Sequence, residues 1–224
     1  MTSRVFCFRH TERVVGDPDQ NPTPLGELLA YGMGMFVRQR YSPDMKQYVC
    51  SPQVRAVSTA VLFTGGLRGI LGYYPPLPLI LREHMLNDNF TDPRPTVQSA
   101  LAEAKERAKQ STRTHEEEFF SFPEGLDVLH TRGAEMVDVV EKLSQTSADQ
   151  LLIGHSPSLE AGCLLLKRML DGTTPFNLAS IGGQLNTMEG FMVAFDEPGL
   201  INRVELIRRP SHLVTLSTLD CDVL

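Results

Sequence analysis

The segment Val5-Phe6-Cys7-Phe8-Arg9-His10-Thr11-Glu12-Arg13 decides how this chain is read. Its first half is an apolar run rich in β-branched and aromatic residues, the pattern of a buried strand. It then breaks into a cation, an imidazole, a carboxylate and a second cation. In open α/β sheets, ligands sit beyond the carboxyl ends of the strands. Arg9 and His10 are therefore aimed at the place where chemistry is done. Read in isolation, the same residues could simply mark where a core strand meets water.

Working outward, the same arrangement recurs. Thr23-Pro24 offers a cap followed by proline at the first helical position, leading into a helix from Leu25 to Arg40. Tyr48-Val49-Cys50 is a short strand, and Ser51-Pro52 again reads as cap and first helical residue. The helix that follows is expected to bury Val54, Val57 and Val61, leaving Arg55 in its first turn and off the buried stripe. Helix N-termini favour anions, and an arginine there adds a fixed charge. Leu77 to Leu81 forms a third strand, ended by Arg82-Glu83-His84. Gly133 to Leu143 is a helix. The apolar Leu151-Leu152-Ile153 leads through Gly154-His155-Ser156-Pro157 into a long helix from Ser158 to about Leu170. Phe191 to Phe195 and Arg203 to Ile207, joined across Pro198-Gly199, read as a closing β-hairpin. Alternating strands and helices predict a three-layer α/β/α sandwich, with a largely parallel sheet covered by helices on both faces.

The composition fits a globular protein: 224 residues, 42% hydrophobic and 21% charged. The simplest partition is a single domain over residues 1–224, with 84–125 as an inserted cap lobe. Within that lobe, Val97, Leu101, Ala104 and Ala108 suggest a helix with a thin apolar stripe, and Glu116-Glu117-Glu118 reads as a solvated acidic face. A net charge of -6 and a pI near 5.5 argue against nucleic acid as a partner. The four cysteines lack CxxC spacing and read as reduced thiols of a cytoplasmic protein, neither a disulfide framework nor a zinc site. No apolar run reaches the roughly 18 residues of a membrane span. The polar tail from Arg208 to Leu224 takes no clear place, and the tail and hairpin offer an edge for a homodimer.

Strand ends thus gather two arginines, two histidines and a carboxylate: Arg9, His10, Arg55, Glu83 and His155. Arginine's fork grips phosphate oxygens through paired hydrogen bonds. A neutral imidazole can attack phosphorus and carry the phosphoryl group. Charge on the equatorial oxygens would be held by arginines and the second histidine, with no metal or other cofactor. Taken singly, Arg55 reads as a surface residue at a helix start, His155 as a satisfied core histidine, and Glu83 as a salt-bridge partner of Arg82. His84, His115, His130 and His212 have no comparable context and read as surface or packing residues. A nucleophile elbow at Gly154-His155-Ser156-Pro157-Ser158, with Asp196 and His212 following, is a competing pattern. It lacks the last glycine, and Pro157 removes the backbone N–H that an oxyanion hole needs.

Five segments, Arg9-His10-Thr11-Glu12-Arg13, Asn21-Pro22-Thr23-Pro24-Leu25-Gly26, Ser51 to Thr59, Leu81-Arg82-Glu83 and Gly154 to Leu159, occur in the order seen in the histidine phosphatase superfamily. The chain resembles that superfamily, whose fold is phosphoglycerate mutase-like. The resemblance implies a phosphorylated nucleophile at His10, phosphate clamps at Arg9 and Arg55, and a second pocket histidine at His155. It also implies a proton donor at Glu83, although some branches draw that acid from elsewhere. Arg13, Thr11 and Ser156 are the neighbouring candidates for touching substrate, with an ion pair to Glu12 the alternative for Arg13 and packing the alternative for Thr11. Within the superfamily, the arginine-rich first motif resembles the ecdysteroid-phosphate and T-cell-signalling suppressor phosphatases, and Thr11 departs from the glycine common there. The implied activity is metal-independent hydrolysis of a phosphate ester on a small molecule or phosphoprotein. A phosphoglycerate-type mutase and a catalytically weak phosphate-binding relative are the alternatives.

Overall fold

The computed structural model describes residues 3–14, 16–17, 21–70, 80–82, 92–211 and 213; at 46 and 80–82 the description is of the backbone. Strand β1 (Ser3–Arg9) lies inside a six-stranded sheet. With β2 (Met45–Cys50), β3 (Ile80–Arg82), β4 (Asp149–Gly154), β5 (Gly190–Glu197) and β6 (Leu200–Ile207), the spatial order is β3-β2-β4-β1-β5-β6. The first four pair in parallel, and the closing hairpin β5–β6 adds on antiparallel to β1. Pro198 and Gly199 make the turn, where Gly199 takes φ +78° at no steric cost.

Side chains alternate across the sheet because successive Cβ atoms point to opposite faces. Phe6 and Phe8 of β1 join Tyr48, Leu151 and Ile153 against helices α1 (Pro24–Tyr41) and α2 (Val54–Arg68). Val5 and Cys7 join Val49 and Leu152 on the other face. Helices α5 (Pro123–Ser144) and α6 (Ser158–Asp171) cover them there, through residues such as Met136, Val140, Leu159 and Cys163. Burial on both faces explains why β1 and β4 read as continuous apolar runs rather than alternating ones.

Between α2 and α5, α3 (Pro95–Gln110) and the short α4 (His115–Glu118) lead through a 3-10 turn into α5. Val97, Leu101 and Ala104 pack with Phe119, Phe122 and Leu129 as a third apolar cluster, which reaches Ala161 of α6. The expected boundary of this lobe at residue 125 falls inside the first turn of α5, because Pro123 occupies the helix start and the helix continues unbroken for 22 residues.

Thr23 caps α1 as expected, its Oγ1 accepting from the Gly26 N–H at 2.9 Å. The start of α2 differs: Ser51-Pro52 stays outside the helix, and Gln53 is the capping residue. The glycines of α1 and α2 permit close contact between the helices. A Cβ on Gly66 would stand 2.0 Å from the Tyr31 carbonyl oxygen, and one on Gly34 would stand 2.1 Å from that of Phe63. Gly66→Ala is therefore expected to lower stability by about 1–3 kcal/mol through overpacking, despite alanine's better helix propensity. Urea denaturation checks this as a lower midpoint at unchanged slope.

Candidate active site

Register puts the two histidines together. In the parallel pair β1–β4, Arg9 lies opposite Gly154, so the next residue on each strand, His10 and His155, leaves the sheet side by side. The His10 N–H donates to the Gly154 carbonyl at 3.1 Å, and the ring centroids stand 4.5 Å apart. Next along the sheet, the Ser51 N–H donates to the Ile153 carbonyl at 3.1 Å, bringing the start of α2 to the same edge.

The tautomers follow from the partners. His10 Nδ1 lies 2.5 Å from the Thr11 carbonyl oxygen, which can only accept, so Nδ1 carries the proton and Nε2 the lone pair. Arg55 Nε donates to that Nε2 at 3.2 Å. Arg55 Nη2 lies 3.4 Å from His155 Nδ1, which must accept, leaving the proton on His155 Nε2. Among the described residues that buried N–H has no partner, which leaves it a candidate donor to a ligand.

Burial, then the charges of His155, Arg55 and Arg9, hold His10 well below the ordinary histidine value, against an opposing hydrogen bond to Thr11. His155 is depressed first by burial and then by Arg55, Arg9 and Arg132. Both rings are thus neutral at pH 7, the form in which His10 Nε2 is a nucleophile.

The position of Arg55 overturns the expected stripe of α2. The buried residues are Arg55, Ala56, Thr59, Ala60, Phe63 and Thr64, whereas Val54 is 45% exposed. Val57 and Val61 still pack at the edge of the core, but the packing of α2 turns Arg55, Ala56, Thr59, Ala60 and Phe63 inward. Thr11 is fully buried; its N–H donates to Thr59 Oγ1 at 3.1 Å, and Thr59 in turn donates to the Arg55 carbonyl at 2.6 Å. The threonine beside His10 thus ties the end of β1 to the helix that carries Arg55.

Arg9 approaches from the other side. Its Nη1 donates to the Leu185 carbonyl at 2.7 Å, its Nε has no partner among the described residues, and its Nη2 lies 3.9 Å from Glu116 Oε1. Arg9, His10, Arg55 and His155 are therefore brought together. Arg13 is exposed and forms a backbone bridge with Pro22. Ser156 lies beside His155, its Oγ donating to Glu160 Oε1 at 2.6 Å. Glu83, like His84 and His212, lies outside the described residues. The elbow pattern fails on geometry as well as on sequence, since Ser156 is engaged with a carboxylate and Asp196 is exposed on β5, paired with Asn202.

The acidic run is no solvated face. Glu117 and Thr114 form a reciprocal capping box at α4, and Glu118 is buried, accepting from Ser111 and Ser121. Glu116 turns toward Arg9. Glu116 and Glu160 are the carboxylates at the site that sequence reading passed over. Glu160 sits one helical turn beyond Ser156, a spacing that could have marked it; nothing local marks Glu116. Among the described residues, no group of three or more His, Cys, Asp or Glu is placed to hold a metal.

The fold is shared with solved structures. A phosphoglycerate mutase from Bacillus anthracis matches at 16% identity with a TM-score of 0.56, over 96% of this chain and 97% of that one. A phosphohistidine phosphatase SixA candidate from Nakamurella multipartitia matches at 15% and 0.53, over 92% and 96%. Mycobacterial hydrolase 1 matches at 18% and 0.50, over 92% and 97%. At these identities the likeness is one of fold: an α/β sandwich shared with these structures. No protein-family model and no curated protein matches the chain.

The depressed histidines carry a stability consequence. A histidine whose native pKa is lowered binds its proton more readily when unfolded, so its stabilisation is complete above about pH 6.5 and is lost as pH falls below that. Each ring is expected to contribute a slope that grows from about 0.7 kcal/mol per pH unit at pH 6.5 toward about 1.4 near pH 5.5, seen in urea midpoints across that range. Glu160, raised by burial, acts in the opposite sense. His155→Gln should flatten the slope by one histidine's share; an unchanged slope would contradict the neutral, buried ring.

Proposed function

We propose that this protein is a metal-independent phosphomonoesterase working through a phosphohistidine on His10. The observation that carries the reading is a neutral imidazole whose Nε2 lone pair faces Arg55, beside a second imidazole that offers a free N–H. Nε2 attacks phosphorus in line as the bond to the ester oxygen breaks. Arg9, Arg55 and His155 hold the equatorial oxygens, where preorganised donors contribute most. The leaving alkoxide takes a proton from a carboxylic acid, and water then attacks the phosphohistidine, returning His10 and releasing phosphate. The resemblance assigns that acid to Glu83.

Glu116 helps set what enters. Its carboxylate faces Arg9 from the lobe packed on α5, where a negative charge opposes an arriving phosphate dianion. The reading favours hydrolysis over phosphoryl transfer to a second acceptor because the arginine-rich motif resembles the phosphatase branches. Isomerisation of phosphoglycerate with a bisphosphate primer is the measurement that separates a mutase.

Wild-type protein is expected to hydrolyse p-nitrophenyl phosphate with EDTA present and to show an acid-labile phosphoenzyme on rapid quench. His10→Ala should lose both, and retention of full activity would refute the mechanism. Arg55→Ala should lower kcat/KM by about 10²–10³-fold, the scale of removing one transition-state charge donor. Glu116→Gln should tighten inorganic phosphate about fivefold, the effect of removing roughly 1 kcal/mol of like-charge repulsion near the surface, as read by calorimetry.

A further inference from the structure

Glu160 takes no part in the chemistry above, yet it is wholly buried at the first turn of α6. One oxygen, Oε1, accepts both the Ser156 hydroxyl at 2.6 Å and the Leu185 N–H at 3.0 Å, while Oε2 has no partner among the described residues. A buried carboxylate is costly, and these contacts lead to the site from two sides. Ser156 follows His155 and also receives Gln184 Nε2 at 3.1 Å. Leu185 is the residue whose carbonyl accepts Arg9 Nη1 at 2.7 Å.

We propose that Glu160 is a positioning residue for Arg9: by holding the Leu185 N–H it fixes the backbone of the residue whose own carbonyl, in the next peptide unit, orients the guanidinium. The inference rests on Arg9 being a phosphate clamp. With Nη1 fixed, Arg9 presents its Nε and Nη2, the edge that makes paired hydrogen bonds to a phosphate. Among the described residues Nε has no partner, which suits that use. A long side chain locked beforehand loses less freedom when the anion binds. The same Oε1 ties the turn after His155 to this loop, so one atom sets the spacing between the clamp and the histidine pair.

The test is a double-mutant cycle on the full-length protein, read as inorganic phosphate affinity by calorimetry and as KM and kcat for p-nitrophenyl phosphate. Glu160→Met, which keeps volume and removes the acceptor, is expected to weaken phosphate binding and raise KM by about tenfold, a typical cost of a misplaced binding group. Glu160→Gln, which keeps an acceptor oxygen, should stay within about threefold of wild type. In an Arg9→Ala background, Glu160→Met should add no more than about twofold, because the two changes act through one group. Equal effects in both backgrounds, or unchanged phosphate affinity, would overturn the proposal. If Glu160→Met does not fold, Glu160→Asp carries the test, with a several-fold loss expected and wild-type affinity contradicting it. A wild type that binds phosphate through Arg9 without forming a phosphoenzyme would sink the phosphatase reading while leaving the positioning role standing.

Discussion

The parallel pairing of β1 with β4 is the constraint on which the rest depends. Arg9 opposite Gly154 makes His10 and His155 the first residues of both strands beyond the sheet, and the 4.5 Å between their rings follows from that register. A slip by one residue would turn Phe6 and Phe8 to the face of α5 and α6, where Val5 and Cys7 now pack. The core therefore enforces the register, and the register enforces the site. The antiparallel hairpin β5–β6 closes the other side of β1. The Thr187–Glu189 turn before it supplies the Glu189 carbonyl that accepts the Arg9 N–H at 2.9 Å.

Two imidazoles buried beside guanidinium groups form an electrostatic arrangement that would be costly were the rings charged. Burial and neighbouring cations both favour the neutral forms, so the surroundings that bury the two rings also keep the lone pair on His10 Nε2 unprotonated. Arg9 donates to a backbone carbonyl and lies 3.9 Å from Glu116, and Arg55 donates to both imidazoles, so two guanidinium groups converge on the histidine pair in a protein whose net charge is -6.

The lobe between α2 and α5 communicates with this pocket through polar contacts. The capping box of α4 fixes Thr114, whose hydroxyl donates to Gln184 Oε1 at 3.1 Å; Gln184 in turn donates to Ser156 beside His155. Glu116 leaves the same short helix toward Arg9. Its neighbours Glu117 and Glu118 serve the helix itself, so three consecutive glutamates do three different things. The division is set by which direction each side chain leaves a single helical turn.

From the sequence by itself one could read the strand, turn and helix units, the hairpin, and the candidates Arg9, His10, Arg55 and His155, because apolar runs and caps are local signals. Tertiary structure decided what those signals could not. The inward face of α2 was decided by how the helix packs against α1 and the sheet, which buries Arg55 and leaves Val54 at the surface. Glu160 and Glu116 lie about 150 and 107 residues from Arg9 in the chain, and no periodicity reports a contact made across such a separation. Gly34 and Gly66 look like helix breakers in one dimension, and only the crossing of α1 and α2 shows that a side chain there would collide with backbone. Local chemistry thus named the candidate groups, while packing and register decided their distances, their protonation and the carboxylates that surround them.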